Sequence, residues 1–215
     1  MIDFSAWIRI LVSCGVRKTI ADKWAPLFEK YAQPEAFSKG NADLFNFLGQ
    51  VLHESAMLTR LVENMNYSAD AIRRVAAQSS PGGRWSQAAT MTAKLANNPE
   101  VLGNFVYGGR MGNNEAGDGF KYRGRGLIMS TGKFNTQRLQ AVTGFPLLKT
   151  PELQSDPKTA IQVAVKWWEE NVPDGALGDP ERVTKAVQGG SLGLAVRAEL
   201  TDEAYAAILA NTREA

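Results

Sequence analysis

Residues 44–68, LFNFLGQVLHESAMLTRLVENMNYS, constrain the fold more than any other stretch of the chain. Leu44, Phe45, Phe47, Leu48, Val51 and Leu52 recur at the spacing of a helix with a wide apolar stripe. Such a helix belongs inside a core, and it delivers His53, Glu54 and Ser55 towards its C-terminal end. Glu63 follows nine residues after Glu54. On an unbroken helix, nine steps of about 100° put the two carboxylates on opposite faces, about 13 Å apart along the axis. The residues in between argue for a break. Asn64, Asn66 and Ser68 favour turns and caps, and Ser68 ahead of Ala69-Asp70-Ala71-Ile72 reads as the cap of a new helix. The helix is therefore expected to end before Glu63, with Glu63 returning from a loop. Two carboxylates can then flank a cleft, the arrangement that glycosidic hydrolysis requires. A lone Glu on a helix is ordinarily a solvated surface residue, so the weight falls on the motifs around the pair.

The remaining sequence reads as further helices interrupted by one unusual segment. Ile2 to Gly15 has Asp3 or Ser5 as cap and Gly15 as stop. Thr19 to Tyr31 carries Trp24, Leu27, Phe28 and Tyr31 on one side. Ala69 to Ala77 is a short helix, Ser79-Ser80-Pro81-Gly82-Gly83 is a turn cluster, Gln87 to Ala96 is another helix, and Pro99 opens one through Phe105. Residues 107–126, YGGRMGNNEAGDGFKYRGRG, are too rich in glycine for a good helix. They read as a glycine-rich loop or small β-hairpin, with Asp118-Gly119 as the turn. Helices resume over 133–142, Pro157 to Glu170, Pro180 to Val187 and Leu194 to Ala210. No internal repeat, low-complexity tract or linker interrupts them. One mainly helical domain spanning residues 1–215 is expected, with no separate wall-binding module.

Composition narrows the partners. The chain has 215 residues, 24 Lys and Arg against 22 Asp and Glu, and a net charge of +2. No strong field advertises nucleic acid or an anionic membrane as partner. Cys14, the single cysteine, permits no intrachain disulfide, lies in an apolar run and reads as a core residue. Synthesis in a reducing compartment is expected. No segment is long enough to span a membrane, and the apolar run near Met1 is short and broken by Arg9, so a cleaved signal peptide is not expected.

Several chemistries are excluded by what is missing. His53-Glu54 resembles the start of a zinc-protease helix, but that motif needs a second histidine at 57, where Met57 stands. His53 is the only histidine, no GxSxG turn exists, and the glycine-rich run contains neither GxxxxGK[ST] nor GxGxxG. No metal or cofactor is expected. What remains is the pair of carboxylates.

His53-Glu54-Ser55, Glu63-Asn64-Met65-Asn66-Tyr67-Ser68, Tyr107-Gly108-Gly109-Arg110-Met111-Gly112-Asn113, Gly117-Asp118-Gly119 and Tyr122-Arg123-Gly124-Arg125-Gly126-Leu127-Ile128 stand in order along the chain. Together they resemble the family 19 glycoside hydrolases, and the phage endolysin branch more than the plant chitinases. The resemblance covers roughly residues 40 to 200. It implies a mostly helical, lysozyme-like fold and cleavage of the β-1,4-linked glycan of peptidoglycan.

Under that resemblance Glu54 matches the general acid and Glu63 the general base of a single-displacement, inverting mechanism, which calls for carboxyls ~6.5–9.5 Å apart. Burial on an apolar helix face is expected to keep Glu54 protonated. Thr131 falls where the family has a hydroxyl that holds the attacking water; read from the residues alone, it serves equally well as a helix cap ahead of Lys133. Asn135 matches a substrate-binding Asn and Arg197 an Arg near the site. His53, Tyr67, Arg125 and Gln188 complete the expected substrate-binding set. Tyr67 also fits a core position, and Arg125 also fits a structural pairing with a carboxylate. The chain departs from the family twice, at Met129, where a Gln is usual, and at Gln188, where an Asn is usual. A thioether donates no hydrogen bond, so the first change bears on sugar preference. Arg110, Lys121, Arg123 and Arg125, interleaved with Tyr107, Phe120 and Tyr122, would also suit nucleic acid, a minor reading beside the motif. The expected protein is a monomeric endolysin without stable membrane insertion. It would accumulate in the host bacterial cytoplasm and act on peptidoglycan strands once the membrane opens. A chitinase, a transglycosylase, which needs one acid and no attacking water, and a non-catalytic glycan-binding protein are the alternatives.

Overall fold

The computed structural model describes residues 1–212. In chain order the helices are α1 (Phe4–Ser13), α2 (Lys18–Tyr31), α3 (Asn41–Glu54), α4 (Ala69–Ala77), α5 (Arg84–Ala88) and α6 (Thr92–Leu95). They continue with α7 (Pro99–Tyr107), α8 (Asp118–Lys121), α9 (Lys133–Thr143), α10 (Pro157–Asn171), α11 (Pro180–Gln188) and α12 (Leu194–Thr212). Extended pairing among the described residues is limited to two isolated antiparallel bridges, Val62 with Arg125 and Arg125 with Ser130. The fold is mainly α, as the periodicities imply. The described residues form two compact units: one holds residues 1–61, 126–129 and 153–212, the other 62–125 and 130–152.

The first unit is built on α3. Leu44, Phe47, Leu48, Val51 and Leu52 are all fully buried. Phe47 meets Trp168 of α10 edge-on at 5.6 Å, and the Trp168 indole donates to Asp43 Oδ1 at 2.8 Å. That bond satisfies a carboxylate which burial would otherwise penalise. α12 packs along α3 at Gly49. A Cβ there would stand 2.2 Å from Thr201 Oγ1 and 3.0 Å from the Arg197 carbonyl, so only glycine permits this approach. α1 closes the core with Trp7 against Phe28 of α2 at 4.9 Å, and Cys14 is fully buried beside them. Asp3 caps α1 by accepting from the Ala6 amide.

The second unit buries Met65, Ile72, Ala88, Leu95, Leu102 and Val106. Ser68 caps α4 by accepting from the Ala71 amide at 3.2 Å. The single helix expected over 87–96 is instead α5, a 3-10 turn over Ala89–Met91, and α6. The Thr90 hydroxyl donates to the Gln87 carbonyl at 2.8 Å, competition that loosens a helical ladder. The glycine-rich run takes the loop form rather than the hairpin. Asp118-Gly119 opens the single turn α8 instead of a hairpin bend. Gly119 lies so near α7 that a Cβ would sit 2.8 Å from Asn104 Cα and from the Gly103 carbonyl. Lys133 ties the run down, its ammonium within 3.2 Å of Glu115 and 3.0 Å of Asp118.

Candidate active site

Glu54 is the last residue of α3, and Ser55 is its C-cap. The Ser55 hydroxyl donates to the Val51 carbonyl at 2.6 Å and accepts from the Leu58 amide at 2.9 Å. Ala56, Met57 and Leu58 then all take positive φ, between 48° and 63°, a left-handed turn of non-glycine residues. Each such residue costs about 1–2 kcal/mol, a strain the Ser55 bonds and the burial of Leu58 offset. The helix stops at Glu54, well before Glu63.

The surroundings of Glu54 differ from the expected apolar face. Arg197 of α12, with a side chain only 3% exposed, donates Nη2 to Glu54 Oε1 at 2.5 Å and Nη1 to Gln50 Oε1 at 2.6 Å. Gln50 and Glu54 are four residues apart and share one helix face, so one guanidinium grips both. Gln50 in turn donates to the Thr184 hydroxyl at 3.4 Å, and Arg197 Nε donates to the Leu192 carbonyl at 3.2 Å. Glu54 lies past the end of the apolar stripe, which is why a charged partner reaches it. His53 lies against Gly193, where a Cβ would come within 2.6 Å of Nε2. Burial, and then the charge of Arg197, push the His53 imidazole below its ordinary value, with Glu54 opposing. Gln188 closes α11, and its buried Nε2 finds no partner among the described residues.

In the second unit Glu63 is fixed through both its backbone and its carboxylate. Its amide donates to the Gly124 carbonyl at 2.8 Å, and Oε2 accepts from the Gly124 amide at 3.0 Å. Oε1 accepts from the Tyr107 phenol at 2.6 Å. A Cβ at Gly124 would sit 3.3 Å from both Glu63 Oε2 and Thr131 Oγ1, so carboxylate and hydroxyl share one bare backbone surface. The cap of α9 is Gly132, at φ 97°, and Thr131 stands outside the helix. Asn135 is exposed and donates to the Thr131 carbonyl at 2.7 Å. Burial, and then the negative charge of Glu63, drive the Tyr107 phenol far above its ordinary value, so it stays a donor. Tyr67 is half-buried and meets Trp85 edge-on at 5.3 Å.

Arg125 is buried, with Nη2 3.2 Å from Glu152 Oε1 and in both antiparallel bridges. This is the structural pairing among the two readings of that residue. Met129 takes φ 47° and is half-buried, following the buried Leu127 and Ile128 of the first unit. Gln50, Tyr107 and Gly124 were not among the expected site residues. Gln50 had a signal in its four-residue spacing from Glu54, and Tyr107 and Gly124 in the motifs that carry the family resemblance, which assigned them no role.

No family model matches the chain. A relative from Haemophilus influenzae, described as a glycosyl hydrolase family 19 domain-containing protein, is 32% identical over 157 residues, covering 72% of this chain and 74% of the relative. Among solved structures, a chitinase C mutant superposes with a TM-score of 0.53 at 16% identity, over 98% of this chain and 93% of that one.

Proposed function

The chain belongs to glycosyl hydrolase family 19, a family of glycosidases, and we propose that within it this protein is an endolysin that hydrolyses the β-1,4 glycan backbone of peptidoglycan. The observation that carries the catalytic reading is the setting of Glu63. Its carboxylate is held by a phenol and a backbone amide, beside the Thr131 hydroxyl across Gly124. A carboxylate so restrained, with a hydroxyl nearby to hold a water, suits a general base.

The reaction proceeds in one displacement. Glu54 gives its proton to the glycosidic oxygen as the C1–O bond breaks. Glu63 takes a proton from a water whose oxygen attacks C1 from the opposite face, inverting the anomeric centre. Glu54 is left as a carboxylate, and Arg197 stabilises the charge that develops on it. Gln50 keeps the guanidinium in place. Asn135 and Tyr67 bind sugar, and Arg125 acts through the loop it anchors. The partner is the peptidoglycan strand, met by a monomer made in the host cytoplasm and admitted to the wall when the membrane opens.

Support for the wall polymer comes from the ordered motifs shared with the endolysin branch. Chitin is the competing substrate: the same two carboxylates would act on a polymer lacking the lactyl group. The test is turbidity loss of outer-membrane-stripped Gram-negative cells, with wild type beside Glu54→Gln. Lysis by wild type and none by the folded variant is expected. A folded wild type that leaves the cells intact overturns the endolysin reading.

A further inference from the structure

The chain's small net charge hides a division. Residues 62–125 and 130–152, the second unit, hold 11 Lys and Arg against six Asp and Glu, whereas the rest of the chain holds 13 against 16. Most acids of this unit are engaged. Asp70 pairs with Arg73, Glu152 with Arg125, and Glu115 and Asp118 with Lys133, while Glu63 is held by Tyr107 and Gly124.

Arg110 and Arg123 remain, and among the described residues neither has a carboxylate within 4.0 Å. Arg123 precedes the glycine whose amide binds Glu63. Its guanidinium lies 3.9 Å from the centre of the Phe120 ring and donates Nη1 to the Phe120 carbonyl at 2.8 Å, which holds the cation in one pose. Arg110 is exposed on a turn closed by the Gly109 amide on the Asn113 carbonyl at 2.8 Å and by Asn113 Nδ2 on the Tyr107 carbonyl at 3.0 Å. Tyr107, at the root of that turn, is the residue that grips Glu63. The charges are close enough to act: beyond its burial, Arg123 feels Glu152 first and Glu63 second, and Tyr107 feels Arg110.

Arg123, posed by a ring and a carbonyl, and Arg110, exposed on its turn, have no carboxylate partner within ion-pair distance and keep donors for an incoming anion. A bare N-acetylglucosamine polymer offers none. Peptidoglycan does, since every unsubstituted stem peptide carries carboxylates on the sugar beside the bond to be cut. We propose that Arg110 and Arg123 bind stem-peptide carboxylates of peptidoglycan, making peptide-bearing strands better substrates than stripped glycan. This rests on the peptidoglycan reading above.

The test compares kcat/KM on purified Gram-negative peptidoglycan and on the same strands stripped of stems by an amidase, at low and moderate salt. The enzymes are wild type, the double variant Arg110→Gln/Arg123→Gln, and its Arg→Lys counterpart. Wild type is expected to favour peptide-bearing strands by on the order of tenfold at low salt, the equivalent of about 1.4 kcal/mol, with the preference shrinking as salt rises. The Gln pair should lose far more on peptide-bearing than on stripped strands, and the Lys pair should recover part of the difference. Equal losses on both substrates, or no wild-type preference, overturn the inference while leaving the hydrolase reading intact. A wild type inert on both strands yet active on chitin oligomers overturns the peptidoglycan reading and this inference with it.

Discussion

The Tyr107 phenol donates to Glu63 Oε1 at 2.6 Å across 44 positions of sequence, while the Gly124 amide holds the other carboxylate oxygen. The two bonds leave the Glu63 carboxylate little freedom to turn.

Tyr107→Phe removes one of the two donors and keeps the ring. A hydrogen bond to a charged group contributes about 1.5–3 kcal/mol, so kcat should fall by roughly tenfold or more with KM little changed. Steady-state kinetics on solubilised peptidoglycan separates this from a binding defect, which would raise KM instead.

Arg197→Gln strands Gln50 and Glu54 together. Breaking a buried pair costs about 3–5 kcal/mol; Glu54, 18% exposed, retains some water and brings the expectation to the lower end. Urea unfolding should show the midpoint falling at unchanged slope, with hydrolysis lost in folded protein. Gly49→Ala should act on the same contact from a distance, because its Cβ would displace Thr201 and the Arg197 backbone.

His53 gives a pH signature that no other histidine obscures. Its folded-state value is lowered, chiefly by burial, so below the ordinary value the unfolded chain binds more protons than the folded one. Stability from this group is therefore present above about pH 6.5 and is lost as pH falls towards the folded-state value. An NMR titration of the imidazole should give a midpoint below that of the urea-unfolded chain. A midpoint at or above it contradicts the assignment of burial and Arg197 as the dominant influences.

Cys14 should be inert while the protein is folded. Burial first, and the nearby Glu203 second, push its thiol up to about 12, so almost no thiolate exists at neutral pH. A thiol reagent at pH 8 should label it only at the rate of unfolding, and at the ordinary thiol rate in denaturant. Prompt labelling of native protein would contradict its place in the core.

Local signals carried much of this fold. The stripe on α3, the Ser68 cap and the helix-poor residues after Arg60 each depend on neighbours in sequence, and each is found in the structure. What composition could not settle was how the glycine-rich run folds: its glycines rule out a long helix, yet Asp118–Lys121 still makes one turn because Gly119 can press against α7. Thr131 had two readings, and Gly132 takes the cap. The partners of the two carboxylates were illegible from spacing, since Arg197 reaches Glu54 across 143 positions and Tyr107 reaches Glu63 across 44. Only family resemblance pointed to Arg197, and nothing in the sequence paired Tyr107 with Glu63. The apolar setting expected for Glu54 failed because the stripe ends at Leu52, two residues short of it, where α12 brings in a charge.

The most direct measurement is mass spectrometry of the fragments released from purified peptidoglycan by wild type and by folded Glu54→Gln. Wild type should release fragments ending in reducing N-acetylmuramic acid, and the variant none. Fragments ending in the 1,6-anhydro sugar would contradict hydrolysis. No fragments from a folded wild type that cuts chitin oligomers would contradict the wall polymer as substrate.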